Sequence, residues 1–399
     1  MSEGPPLPDP DARAHSEALV RRIVAAIDDA GEAIGFDRFM AMALYEPGLG
    51  YYSAGQARFG GGGDYTTAPL TSALFSRTLA HQCCEVLAVT GGDILEFGAG
   101  TGRMAADLLA ELAALGQLPE RYRILEVSAS LRAEQAATLA EALPADVYRR
   151  VEWLDGLPDD PFDGVILANE VLDAMPVRRF QTGSDGPWEL GISHRGGTLE
   201  YTLIAADQAL RRAVQAIEAD LDAPLPAGYT SEYCPGVRGW MAGLSGCLGR
   251  GAALLIDYGY PRREYYHPQR SMGTLLCHYR HRAHDDALWY PGLQDITASV
   301  DFTAVGRAAM DAGLELLGFT TQAHFLLGAG LPALLEAEMA ADAERGAILA
   351  QQAKTLMMPA GMGERFKVLA AGRGMDSALS GFRIAEQGGR LGLGPAGGN

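Results

Sequence analysis

The 399-residue sequence has only five cysteines, and none forms a CxxC pair or any other metal-ligand spacing. Cys83 and Cys84 are adjacent, while Cys234, Cys247 and Cys277 lie far apart. This distribution predicts buried free thiols in a reducing compartment, no structural zinc and a cytoplasmic chain. Long apolar runs are also missing. The longest, such as Ala252 to Ile256, stop far short of the roughly 20 residues a membrane-spanning helix needs, which excludes membrane insertion through such a helix. The opening Met1 to Asp11 is rich in proline and acid, so it reads neither as a secretory signal nor as an Arg-rich transit peptide. Basic residues are scarce, with 32 Lys and Arg against 50 Asp and Glu, for a net charge of −18. Nucleic-acid affinity depends on Lys and Arg displacing counterions, so DNA and RNA are excluded as main partners. A cationic substrate fits better, although an acidic surface also serves solubility.

Hydrophobic residues make up 48% and charged residues 21%, the balance of a soluble globular protein. Met1 to His15 reads as a tail, followed by helical spacing over Ser16 to Ala30. Gly48 to Thr67 is a Gly-rich loop, and Thr71 to Val89 returns to helical spacing. From Asp93 short apolar strands alternate with helices, the signature of a parallel sheet covered on both faces. Strands are expected at Ile94 to Phe97, Arg123 to Val127, Tyr148 to Trp153 and Gly164 to Ala168, with helices at Gly102 to Leu115 and Ser130 to Ala142. The alternation then breaks over Phe180 to Gly249, with a hairpin near Trp188 to Leu203 and a helix over Ala206 to Leu221. The sheet resumes at Ala252 to Asp257, and a final strand pair is expected at Leu314 to Thr321. The expected division is a helical and loop cap at 1–92, a Rossmann-like core at 93–180 and 251–325, an insertion at 181–250, and a C-terminal helical region with a Gly-rich tail at 326–399.

Ile94-Leu95-Glu96-Phe97-Gly98-Ala99-Gly100-Thr101-Gly102 is a strand running into a glycine turn and then a helix. Glycines let the backbone turn sharply and approach a ligand, and the helix presents unpaired N–H groups. A dinucleotide fingerprint needs a further glycine at position 103, where this chain has Arg103. The spacing instead resembles motif I of class I methyltransferases, acidic-x-Gly-x-Gly-x-Gly, which implies S-adenosylmethionine (SAM) as cofactor. Glu126 ends the second strand, where a carboxylate can accept both hydroxyls of a ribose. Asp155 follows the third strand; it stands where methyltransferases often contact the adenine amino group, and Asp before Gly is equally an ordinary turn.

The fourth strand leads into Asn169-Glu170-Val171-Leu172-Asp173-Ala174-Met175-Pro176-Val177. In open parallel sheets ligands sit beyond the carboxyl ends of the strands, so Asn169, Glu170 and Asp173 are the expected transfer-site residues. Glu170 and Asp173 share a side if this stretch forms a helical turn, and two carboxylates can then grip a guanidinium. A capped turn is the alternative. Asp257, at the end of a later strand, reads as an electrostatic group or a turn cap. His278, His281 and His284 lack metal geometry and read as exposed or substrate-contacting.

The chain resembles the MidA and NDUFAF-type family of SAM-dependent methyltransferases. The likeness rests on Asp64-Tyr65-Thr66-Thr67-Ala68-Pro69, Glu96 to Gly102, Glu126-Val127-Ser128, Asn169 to Val177 and Ile256-Asp257-Tyr258-Gly259. Gly273-Thr274-Leu275, Asp295-Ile296-Thr297 with Asp301-Phe302, and Met362-Gly363-Glu364-Arg365-Phe366-Lys367 extend it over most of the chain. The resemblance implies a Rossmann-like α/β class I methyltransferase fold, with a mostly parallel seven-stranded sheet, an N-terminal helical cap and an insertion before strand 5. It implies that Thr66, Thr67 and Pro69 belong to a loop closing over SAM. Glu96, Gly98, Gly100, Gly102, Glu126 and Ser128 would bind the cofactor, with Asp155 beside them. Mitochondrial members are protein arginine methyltransferases aiding assembly of respiratory complex I, which implies a protein substrate, with a respiratory-complex subunit as one candidate. A homodimer and a SAM-binding assembly protein with little turnover both stay open. Two departures from the family are Leu70, where an acid is usual, and Ser299, where a His is usual.

Overall fold

The computed structural model describes residues 6–54 and 67–393, and the chain divides into two compact units. The larger comprises Thr66–Leu172, Arg238–Gly259 and Phe302–Asn399, and the smaller Met1–Tyr65, Asp173–Val237 and Tyr260–Asp301. These boundaries differ from the four-part division expected. The helix Ala73–Thr90 and the C-terminal helices join the sheet in the larger unit, because their apolar faces find their partners far away in sequence.

Seven strands of the larger unit form the continuous path of an eight-stranded sheet: β1 (Asp93–Phe97), β2 (Tyr122–Leu125), β3 (Val151–Leu154), β4 (Phe162–Asn169), β5 (Leu248–Tyr260), β6 (Glu315–Thr321) and β7 (Phe366–Arg373). They run in the order β6-β7-β5-β4-β1-β2-β3. Strand β7 is antiparallel to both neighbours and the other pairs on this path are parallel, so the sheet is mostly parallel as expected, with seven strands in its path. The strands are buried on both faces: every residue of β1 is buried, its acids Asp93 and Glu96 included, as is the apolar run Gly164 to Ala168 of β4. Leu74, Phe75 and Leu79 of the helix Ala73–Thr90 and Leu108, Leu109 and Leu112 of the helix Arg103–Ala114 share one core with Ile94, Val165, Leu254 and Val368 of the sheet. The expected strand pair within Leu314 to Thr321 is a single strand. Its partner β7 comes after the helices Leu331–Ala341 and Ala343–Met357, in the region expected to be helical.

The smaller unit carries a four-stranded antiparallel sheet in the order Thr198–Ala205, Gly186–Arg195, Arg178–Gly183, Thr230–Tyr233. Its helix Pro10–Ala30 begins inside the segment expected to be a tail. Asp9 accepts a hydrogen bond from the Ala12 amide at 2.9 Å, and Pro10 fits the first helical turn because no N–H is needed there. Leu19, Ile23 and Ile27 of this helix pack with Phe36, Phe39, Cys277 and Ile296. His284 stacks on Trp289 at 4.1 Å between ring centroids, and His281 occupies a left-handed turn. Among the described residues no group of three or more His, Cys, Asp or Glu could hold a metal ion, and no helix is long and apolar enough to cross a membrane.

One close approach governs the sheet at its amino end. Asp93 of β1 and Gly251 of β5 flank Gly164 of β4 in register, and a Cβ on Gly164 would lie 2.0 Å from the Asp93 carbonyl. With φ at +137°, this backbone also disfavours any L side chain. Gly164→Ala is therefore expected to destabilise the chain by about 2 kcal/mol or more, read as a lowered urea midpoint with the m-value unchanged. A midpoint equal to wild type would contradict the crowding.

A second expectation concerns Glu96, which is buried in β1 with its Oε2 accepting the Tyr122 hydroxyl at 2.7 Å. Burial pushes its carboxyl up to about 7, against the Tyr122 hydrogen bond, and neighbouring Glu126 adds to the rise. The unfolded chain releases this proton near 4.5. Between those two values the native state binds more protons than the unfolded one, so this group's contribution to stability falls as pH rises through that window. Glu96→Gln keeps an acceptor for Tyr122 and removes the ionisation. The stability difference between variant and wild type should therefore move in the variant's favour by roughly 3 kcal/mol from pH 4 to pH 8. A pH-independent difference in denaturation free energy would refute the assignment.

Candidate functional site

The site is built where the parallel strands of the larger unit end. Strand β1 delivers the chain into Gly98, Gly100 and Gly102, which have φ of +62°, +53° and +82°. The Gly98 amide donates to the Leu125 carbonyl at 3.0 Å, and the Gly102 amide donates to the Ala99 carbonyl at 2.8 Å, closing the turn. Gly102 is then the left-handed N-cap of the helix Arg103–Ala114. A Cβ on Gly100 would meet nothing within 4 Å, so the loop faces open space there. Arg103, the residue that breaks the dinucleotide spacing, pairs with Asp107 one helical turn on.

Glu126 follows β2 and is buried, with Oε1 accepting the Ser128 amide at 2.9 Å and Oε2 accepting the Gln135 side-chain amide at 3.0 Å. Each oxygen keeps a further lone pair. Burial pushes the Glu126 carboxyl up from the ordinary glutamate value, and the hydrogen bonds from Ser128 and Gln135 hold it down. Ser128 caps the helix Ala129–Ala142 through the Leu131 amide. Asp155 is almost fully exposed and pairs with Arg132 at 2.7 Å. Glu96 lies in the strand core against Tyr122. Thr67 is the N-cap of the one-turn helix Ala68–Thr71, in which Pro69 is buried. Thr66, with the preceding Asp64-Tyr65, lies outside the described residues.

After β4 the chain forms bends and a turn rather than a helical turn, because Glu170 adopts φ of +53°. The expected helical alignment of Glu170 with Asp173 therefore does not form. The Glu170 amide donates to the Ile256 carbonyl at 2.9 Å, and its Oε1 accepts from Asn169 Nδ2 at 3.2 Å. The Asn169 side-chain carbonyl is buried with no hydrogen-bond partner. A non-glycine residue in a left-handed backbone costs of order 1–3 kcal/mol and concentrates at functional sites. Asp257 fixes the segment that follows: its Oδ2 accepts the Leu172 amide at 3.0 Å, and its Oδ1 accepts the Tyr258 amide at 2.8 Å. These two bonds are those of a turn cap, one of its two expected roles. Asp173 begins the second segment of the smaller unit, is buried, and its carbonyl accepts the Ala298 amide at 2.9 Å.

Sequence reasoning missed Arg132 and Gln135. Arg132 donates to the Glu126 carbonyl at 2.7 Å and to the Leu154 carbonyl, tying together the chain ends that leave β2 and β3. Gln135 donates to the Gly100 carbonyl and to Glu126, both at 3.0 Å, and accepts from the Trp153 indole at 2.9 Å. A signal for Gln135 existed. Leu131, Gln135 and Leu139 form the buried stripe of their helix at four-residue spacing, so a polar side chain interrupts an apolar face.

A family described as "Putative S-adenosyl-L-methionine-dependent methyltransferase" matches residues 78–320. A superfamily member from Burkholderia thailandensis, whose crystal structure holds S-adenosyl-homocysteine, is 43% identical, with a TM-score of 0.92 over 97% of this chain and 100% of that one. Among curated proteins, the mitochondrial protein arginine methyltransferase NDUFAF7 of Danio rerio is 27% identical over 93% of this chain and 89% of its own length. The Homo sapiens protein of the same name is 28% identical over 88% of this chain and 82% of its own length. These relatives are named as mitochondrial, which overturns the cytoplasmic expectation. Free thiols indicate reducing surroundings and do not separate one such compartment from another.

The residues present suit SAM. The open space at Gly100 admits a close ligand, the buried Glu126 carboxylate has lone pairs for two hydroxyls, and the unpartnered Asn169 carbonyl calls for a donor. With 243 of its residues matched by the family and a solved relative aligned over nearly its whole length, the chain belongs to the MidA and NDUFAF-type family of SAM-dependent methyltransferases.

Proposed function

We propose that this methyltransferase acts on a protein side chain, the guanidinium of an arginine. The observation that carries the reading is Glu170, a carboxylate held in a strained backbone at the end of β4, one residue from an unpartnered buried carbonyl on Asn169. Gly98 and Val171 support its proximity to the glycine turn, since a Cβ on Gly98 would lie 3.6 Å from Val171 Cγ2. SAM supplies the activated methyl group. Methyl transfer then asks little covalent chemistry of the protein, which has to orient the acceptor and exclude water. Glu170 accepts charge-assisted hydrogen bonds from the guanidinium, orients the nitrogen and takes the proton that this nitrogen gives up as it is methylated, while the Asn169 carbonyl takes a further N–H. The net charge of −18 favours a cationic partner, and the names of the curated relatives point the same way.

In the same reading Gly98, Gly100 and Gly102 cradle the cofactor and Glu126 accepts its ribose hydroxyls. Ser128 acts through Glu126, which its amide holds. Thr67 and Pro69 flank the site as part of the closing loop. Asp155 is bound to Arg132, and it serves by holding that arginine across the ends of β2 and β3.

Calorimetric titration with SAM tests the cofactor half. Gly100→Val should abolish binding, and Glu126→Gln should weaken it roughly tenfold or more by removing a charge-assisted acceptor. Because burial raises the Glu126 carboxyl, wild-type affinity should begin to fall on acidification at a pH above the ordinary glutamate range. A flat profile through the whole ordinary glutamate range, down to about pH 4, would remove Glu126 from the site.

The acceptor half is tested with arginine-rich and lysine-rich peptides and isotope-labelled SAM. Label should appear in arginine, and Glu170→Gln should lower kcat roughly a hundredfold with SAM affinity unchanged. Label in lysine alone would overturn the arginine assignment. SAM binding without incorporation into any protein acceptor would leave a binding protein that does not turn over.

A further inference from the structure

Gln135 has no solvent exposure and lies in the middle of the helix Ala129–Ala142. A buried primary amide must find partners for two N–H bonds and a carbonyl, and all three are present here. The indole of Trp153 can only donate, so its 2.9 Å contact fixes the oxygen of Gln135 on that side. The nitrogen is thereby turned toward two acceptors, the Gly100 carbonyl and Glu126 Oε2, each 3.0 Å away. The helix comes close enough for this because Gly102 has no side chain: a Cβ there would lie 3.1 Å from Gln135 Cα.

We propose that Gln135 is a positioning residue for SAM binding, which locks the Glu126 carboxylate to the glycine turn so that both meet the cofactor in one fixed geometry. The inference rests on the reading of Glu126 as the ribose acceptor. One oxygen of Glu126 is held by the Ser128 amide and the other by Gln135, so the carboxylate cannot rotate without breaking one of the two bonds. Gln135 joins that oxygen to the middle glycine of the turn, where a flexible carboxylate and a flexible loop would otherwise have to be ordered by the ligand. Two further charged groups face Glu126: Glu96 on β1, and Arg132 on the same helix as Gln135, whose Nε donates to the Glu126 carbonyl. Neither bridges the carboxylate to the loop.

The test is SAM titration from pH 5.5 to 8.5 with wild type, Glu126→Gln, Gln135→Leu and Gln135→Glu, each with a thermal unfolding curve. Gln135→Leu should weaken SAM roughly tenfold at pH 8 and move the acid limb of the affinity to higher pH, because Glu126 loses a donor that favours its charged form. Gln135→Glu should be weak at pH 8, where two carboxylates face each other, and regain affinity as pH falls and the pair shares one proton. A merely structural role would lower the unfolding temperature of both variants and leave the pH profile where it was. Folded Gln135 variants with wild-type affinity and profile, alongside a weakened Glu126→Gln, would overturn this inference alone. Unchanged binding by Glu126→Gln would overturn it together with the cofactor reading beneath it. Should Gln135→Leu fail to fold, the pH response of Gln135→Glu decides the matter.

Discussion

The site depends on a constraint on β1. This strand is paired on both sides, by β2 and β4, and its side chains are buried on both faces. Its backbone groups are committed to neighbours, so the chain can leave only at the carboxyl end and must turn back at once to begin the helix Arg103–Ala114. Left-handed residues at 98, 100 and 102 make that turn, and glycine is the residue that takes this conformation without steric cost. The same absence of side chains leaves open space at Gly100 and brings Gln135 against Gly102. A packing demand of the sheet and the access a ligand requires are met by the same three residues.

Beyond the turn, order is imposed by satisfying buried polar groups. Gln135 links the turn to Glu126 and Trp153, Arg132 links the exits of β2 and β3, and Asp257 holds the Leu172 amide after β4. Together they join the exit of β1 to that of β2, β2 to β3, and the exit of β4 to β5. The loops are thus tied to one another at the edge of a rigid sheet, which suits a reaction governed by orientation.

These links also explain what the sequence could and could not reveal. Strand β1, its glycine turn and the helix behind it are contiguous, and their chemistry is local, so they were legible as a pattern of residue types. The β4 exit was legible as a place and not as a shape: its acids stood out, yet the left-handed backbone at Glu170 is stabilised by the Ile256 carbonyl of another strand. Strand β7 was invisible because it pairs with β5 and β6 across intervening helices, and its run Phe366 to Arg373 gives no sign of which neighbours it will meet. The helix start at Pro10 was legible in principle, since Asp-Pro is a capping signal, but weak apolar spacing before Ser16 masked it. Glu96 is a different case. A motif assigned it to the ligand, and its register against Ile124 sets it within the sheet, where its carboxyl meets Tyr122.

The carboxylates show how one residue type serves different ends under different local fields. Glu96 and Glu126 lie close enough for the charge on Glu126 to raise Glu96, and burial raises both. They differ in their donors. Glu96 has one hydroxyl, whereas Glu126 has a backbone amide, a side-chain amide and a nearby Arg132. Two charges this near one another would be unfavourable in a dry interior, and hydrogen-bond donors favour the charged form of whichever carboxyl they reach. Glu96 therefore has only the Tyr122 hydroxyl to set against burial and the charge of Glu126, whereas the hydrogen bonds from Ser128 and Gln135 and the charge of Arg132 oppose burial at Glu126.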